Sequence, residues 1–203
     1  MPNYYDYKIK ENYFKKKYKI SDEMIVLGYH GIICKDRGIE NIIRIVEKNK
    51  DTVGFIIGNA NNDNYIKDLK EIVNNSEANN RVFFHERVEF NELYKYISCF
   101  DIGIVLIKPN TDSYKYALPN KLFENIQAMN PIIGSNLPEI SKIINKYKIG
   151  YVIDYKSDEE FEMAIKKIIK RKKNYYNKNL IKAKNELCWE KEKSILINAI
   201  EDL

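Results

Sequence analysis

The chain has 203 residues, 44% of them hydrophobic and 31% charged, which suits a folded, soluble domain and excludes a disordered one. Its apolar runs are of strand length, too short to span a bilayer, and its lysine- and tyrosine-rich start lacks an apolar signal segment, so a cytoplasmic location is expected. The net charge of +5 sits at the ends: residues 1–20 hold six Lys against Asp6 and Glu11, and residues 166–184 hold nine basic side chains and no acid. Tyr175 and Tyr176 could stack on bases, but Asn, Lys, Ile and Tyr are abundant throughout the chain, so these basic stretches read as compositional bias and solvated helix faces, and nucleic-acid binding is not expected. Weak peripheral attraction to an anionic membrane is compatible with them.

Short apolar runs alternate with helical patterns along the chain. Residues 24–29 (MIVLGY) read as a strand, followed by a helix over 37–48 with Ile39, Ile42, Ile43 and Val46 on one face. A strand over 53–57, a helix over 64–73, a strand over 81–84 and a helix over 91–100 come next. The nearly continuous apolar run 101–107 (DIGIVLI) predicts a strand buried on both faces. A loop over 108–118 leads to a helix that starts at Pro119 and runs to about 129. Residues 131–134 form a strand, 138–147 a helix and 150–153 the last strand. Ser157, with Glu160 three residues on, signals a capping box for a further helix, and two more helices end the chain. Six strands alternating with helices predict an α/β, Rossmann-like, doubly wound parallel sheet with helices on both faces and extra C-terminal helices. Residues 1–20 read as a linker or N-terminal helical segment, and 21–203 as the domain.

Cys34, Cys99 and Cys188 are far apart and no CxxC pair exists, so free thiols are expected. With His30 and His85 as the only histidines, a closed zinc site is hard to build.

Ligands of such sheets bind beyond the carboxyl ends of the strands. After the first strand comes Tyr29-His30-Gly31, and then Arg37-Gly38. Gly31 would let backbone approach a ligand, and Arg37 offers a fork for two phosphate oxygens, or the two are merely a turn residue and a solvated first-turn residue. After the fourth strand, Lys121 stands in the first turn of a helix, where a cation is unfavourable unless an anion binds there. Glu124, one turn on, can accept two hydrogen bonds from a sugar diol, or else pair with Lys121 at i, i+3.

The segment 118–131 (LPNKLFENIQAMNP) resembles the signature of the C-terminal, donor-binding domain of GT-B glycosyltransferases of the retaining family 4 kind, with Glu124 seven residues before Pro131. Tyr29-His30-Gly31 with Arg37-Gly38 is similar to that family's first loop. Gly58-Asn59-Ala60 is similar to the turn after its second strand, and Leu137-Pro138-Glu139-Ile140 to the helix after its proline strand. Trp189-Glu190 resembles its C-terminal tryptophan–acid pair.

The resemblance implies a nucleotide-sugar donor and no cofactor or metal. Glu124 would bind the ribose hydroxyls. Gly31, Arg37 and Lys121, with the helix start at Leu118, Pro119 and Asn120, would hold the diphosphate, and Arg87 and Val88 would flank the base. Arg37 and Lys121 would act catalytically on the leaving diphosphate. Tyr116 replaces the acid found eight residues before Glu124 in the common form of the pattern. A GT-B enzyme has two Rossmann domains, so a separate N-terminal acceptor domain is implied, with polysaccharide or lipid-linked glycan synthesis as the setting. A non-catalytic or partner-dependent nucleotide-binding module, and a nucleotide-sugar epimerase, are the alternatives.

Overall fold

The computed structural model describes residues 13–171 and 174–201, so most of the expected N-terminal linker lies outside the described residues. A short helix, α1 (Tyr13–Lys17), precedes β1 (Ile25–His30), α2 (Ile39–Lys48), β2 (Thr52–Ile57), α3 (Asp63–Asn74) and β3 (Val82–His85). The second half runs α4 (Leu93–Ile97), β4 (Ile102–Val105), α5 (Asp112–Lys115), α6 (Asn120–Gln127), β5 (Ile132–Ser135), α7 (Pro138–Tyr147) and β6 (Gly150–Ile153). Three helices follow: α8 (Asp158–Arg171), α9 (Asn174–Glu186) and α10 (Trp189–Glu201).

The six strands form one sheet in the order β3-β2-β1-β4-β5-β6. Every pairing is parallel. This is the expected doubly wound arrangement, and the strand order reverses between β1 and β4. Successive strand residues point to opposite faces, and the two cores follow that rule. Leu27, Tyr29 and Ile56 join a large cluster with Ile42 and Val46 of α2 and Leu69 of α3. Val26, Val53 and Phe55 face the other way, where Phe14 of α1 and Tyr94 and Ile97 of α4 cover them. Phe14 stacks on Phe55 with ring centroids 4.1 Å apart, which fastens α1 to the sheet.

The elements differ from the sequence pattern mainly at their ends. The helix expected over 91–100 is confined to Leu93–Ile97. Beyond it the chain turns, and the buried ring of Phe100 lies where a Cβ on Gly28 would be. The helix expected from 37 starts at Ile39, because Gly38 takes a left-handed conformation at φ 76°. The loop over 108–118 contains α5, capped by the Thr111 hydroxyl, which accepts from the Tyr114 N–H at 3.2 Å. The capping box at α8 is half formed. The Ser157 hydroxyl accepts from the Glu160 N–H at 3.1 Å, but the Glu160 carboxylate accepts from the Asp154 N–H at 2.7 Å instead of turning back to Ser157.

The contact between Gly28 and Phe100 gives a stability prediction. A methyl group at Gly28 overlaps a fully buried ring that cannot swing to solvent. Gly28→Ala is therefore expected to lower stability by about 1–3 kcal/mol, the usual cost of overpacking. Chemical denaturation checks this, and an unchanged midpoint would mean that Phe100 repacks freely.

Candidate nucleotide-sugar site

The chain leaves β1 and β2 through glycines because the two exits approach closely. Gly58 has φ 151°, and a Cβ there would collide with the carbonyl oxygen of Gly31. The Gly31 N–H donates to the Ile57 carbonyl at 3.0 Å, and the Ile33 N–H to the Asn59 carbonyl at 2.9 Å. The Asn59 side chain then accepts from the Arg87 N–H at 3.1 Å, which ties in the exit of β3. A cleft of about 390 Å³ opens above these exits. Its floor is His30, Gly31, Gly58 and Asn59, its far wall is Arg87, Val88, Phe90 and Leu93, and Glu124 of α6 closes it. Ile32 and Phe90 stand at its rim, 65% and 60% exposed.

Of the expected site residues, Gly31, Arg87, Val88 and Glu124 line this cleft, whereas Arg37, Leu118, Pro119, Asn120 and Lys121 do not. The last five belong to the neighbouring loop and the start of α6. Tyr29 is buried between the two regions, its hydroxyl donating to the Ile32 carbonyl at 2.6 Å. The Lys121 ammonium sits 3.9 Å from the centroid of the Tyr29 ring. It is buried and, among the described residues, has no hydrogen-bond partner. Burial, with the Arg37 guanidinium adding like charge, lowers the Lys121 pKa to about 7. The Arg37 guanidinium lies 4.5 Å from the centroid of the Tyr114 ring. The N-cap of α6 is Pro119, which supplies no side-chain acceptor, and in the first turn the Leu122 N–H donates to the Pro119 carbonyl at 3.0 Å.

Glu124 does not pair with Lys121. Its Oε2 instead accepts from His30 Nε2 at 2.8 Å, joining the end of β1 to α6. His30 stood in the sequence motif without a role, and only its place as the last residue of β1 could have pointed to it. Phe90 and Asn59 were likewise not singled out for the site. Tyr116 is 57% exposed and does not line the cleft. Among the described residues no group of three or more His, Cys, Asp or Glu could hold a metal ion, and no helix is long and apolar enough to cross a membrane.

The family model for glycosyl transferases group 1 matches residues 10–186. The chain belongs to this family. No curated protein sequence matches the chain significantly. Among solved structures of similar fold is Anabaena HepE in complex with UDP and glucose, at a TM-score of 0.79 and 12% identity, covering 95% of this chain and 52% of that one. Sucrose-phosphate synthase from Thermosynechococcus elongatus matches at a TM-score of 0.76 and 15% identity, over 93% of this chain and 48% of that one. The C-terminal domain of a group 1 glycosyl transferase (LpcC) from Francisella tularensis matches at a TM-score of 0.67 and 19% identity, over 90% and 92%. The group 1 chain thus has the fold of one GT-B half and spans about half the length of the first two proteins.

The buried ammonium of this group 1 chain predicts a pH dependence of stability. The Lys121 pKa is about 7 in the folded protein against an ordinary 10.5. Between these values the unfolded chain binds a proton that the folded chain does not, so this group makes stability rise with pH across that window. Below about pH 7 the penalty is present in full. Denaturation at several pH values should show wild type gaining on Lys121→Met from pH 7 to 10, by at most about 1.4 kcal/mol per pH unit. Parallel profiles would mean that Lys121 stays charged when folded.

Proposed function

We propose that this chain is the nucleotide-sugar-binding half of a glycosyltransferase that passes a sugar from a nucleoside diphosphate to a glycan or lipid-linked acceptor. The observation that carries the reading is the pair of cations beside the cleft, Arg37 on the loop before α2 and Lys121 in the first turn of α6. Among the described residues neither Arg37 nor Lys121 forms an ion pair, and a buried cation is costly unless an anion compensates it. A diphosphate is such an anion. Its charge grows as the glycosidic bond breaks, so fixed cations stabilise the transition state more than the bound donor. That assigns Arg37 and Lys121 to the leaving group, assisted by Gly31 and by the start of α6 at Leu118, Pro119 and Asn120.

Glu124 accepts the ribose hydroxyls in this reading, and the base lies against Arg87 and Val88. HepE is described in complex with UDP, with UDP and glucose, and with UDP-glucose, which supports a donor of this class. The reading includes a hexosyl donor, retention of configuration and no metal. It also includes an acceptor face supplied by a second, N-terminal domain, because positioning two substrates and excluding water require both walls of a cleft. A cytoplasmic setting with weak contact to the inner membrane face fits the basic ends of the chain.

A thermal-shift screen of the chain against UDP, GDP, ADP and CMP and their sugar conjugates tests the reading. A ligand at 100 times its Kd should add about 2.7 kcal/mol of stability. No shift with any of them in a folded sample would overturn it. With the nucleotide so identified, Glu124→Ala should weaken binding by about 1.5–3 kcal/mol, and because it leaves the buried His30 Nε2 without its acceptor it should also lower stability by about 1–3 kcal/mol. Arg37→Ala should weaken the diphosphate far more than the matching nucleoside, and equal losses would remove Arg37 from the phosphate site.

A further inference from the structure

We infer that His30 is a positioning residue for Glu124. Its imidazole fixes the carboxylate in the orientation that receives both hydroxyls of a ribose, and preference for ribonucleotides over 2′-deoxyribonucleotides depends on it. The inference rests on the donor-binding reading above and assigns a specificity role within that site.

The two residues are 94 apart in sequence and meet with His30 Nε2 2.8 Å from Glu124 Oε2. Their side chains are only 4% and 13% exposed, yet both residues line the cleft. A carboxylate can only accept, so Nε2 carries the proton. His30 is itself fixed. It ends β1 in register with Ile57 of β2, and its ring lies 6.3 Å from the buried ring of Phe100. Its Nδ1 is buried and, among the described residues, has no hydrogen-bond partner, so Glu124 is the one described polar group that holds the imidazole.

Glu124 has three side-chain torsions, and among the described residues neither Lys121 nor Arg37 pairs with it to fix them. Lys121 is turned toward Tyr29 and Arg37 toward Tyr114. A carboxylate offers about four lone-pair sites, and one bond from His30 leaves enough for two hydroxyls. Losing His30 frees the carboxylate to rotate, and a two-point contact with a diol suffers more from rotation than a one-point contact with a 2′-deoxy sugar.

The test uses the whole chain and calorimetric titration with UDP, GDP and ADP and with dUDP, dGDP and dADP. Wild type should prefer the ribose form of its nucleotide by tenfold or more. His30→Leu should bring the two forms within about threefold of each other, chiefly by weakening the ribose form. His30→Gln, whose amide can reach Glu124, should restore most of the preference. If His30→Leu fails to fold, His30→Asn replaces it, because its shorter amide is polar but cannot reach Glu124. Wild-type preference in the Leu or Asn variant would overturn the role, as would an equal loss of both sugar forms. Absence of any nucleotide binding by wild type would overturn the donor reading itself, and the inference with it, so the two failures are distinguishable.

Discussion

Between β1 and β4 the chain connections leave the sheet in opposite directions, so the elements that follow these strands part and open a crevice beyond their carboxyl ends. Everything proposed for ligand binding is arranged around that parting. The β1 side is held by backbone hydrogen bonds from Gly31 and Ile33 to the exit of β2, at a separation that admits no side chain on Gly58. The β4 side is held by α6, whose inner face buries Leu122, Phe123 and Ile126. The bond from His30 to Glu124 links these sides at the cleft, and contacts from Asp36 to Lys108 and Asn110 link the loops beyond it. Without the tight exit at Gly58, His30 would not be placed to make its bond.

The crevice carries positive charge that the protein does not itself neutralise. Elsewhere the chain pairs its charges in ordinary ways. Asp158 accepts from both Arg44 and Lys48, and Lys108 lies 3.4 Å from Asp36. Among the described residues Lys121 has the Tyr29 ring face and no paired carboxylate, and Arg37 has the Tyr114 ring. A ring face attracts a cation by a fraction of what an anion supplies, and buried charges are otherwise paired. Burial then shifts Lys121 toward the neutral amine. An arriving diphosphate would reverse that shift by drawing a proton onto Lys121. In the proposed reading, the same group destabilises the empty domain and strengthens its hold on the ligand.

Much of the fold was legible because it follows from apolar periodicity. The strand at 150–153 and the helix at 138–147 coincide with β6 and α7 residue for residue. The misjudged ends are those where tertiary packing overrides local pattern. Residues 98–100 have helical neighbours and suitable polarity, but Phe100 gains more by leaving the helix to fill the space over Gly28. Residues 106–107 are as apolar as the strand before them and equally buried, yet they lie beyond the end of β4. Gly31 and Glu124 stood out by their places after the first and fourth strands, and Arg87 and Val88 only through the family resemblance; all four line one cleft. The partner of Glu124 was not legible. Lys121 is the nearest cation along the helix, and only the depth of Tyr29 decides that it turns inward. That choice leaves Glu124 to a histidine on another element.

The two regions of the crevice differ in character, and the difference matches the two ends of the proposed donor. The cleft is bounded by Gly31, Val88, Phe90 and the rim residue Ile32, surfaces suited to a flat base and a sugar ring. The other region is cationic and built on the loop before α2 and the first turn of α6. Glu124 stands one helical turn from Lys121 and faces the cleft, so a single rigid helix sets the spacing between the group proposed for the ribose and the group proposed for the diphosphate. That spacing is a property of helix geometry, about 1.5 Å of rise per residue, and does not depend on loop conformation. His30 constrains the carboxylate at one end of this ruler, and the Tyr29 ring, on the strand residue just before it, constrains the ammonium at the other. Adjacent residues of β1 point to opposite faces, so one strand end can orient both groups without either competing for the same partner.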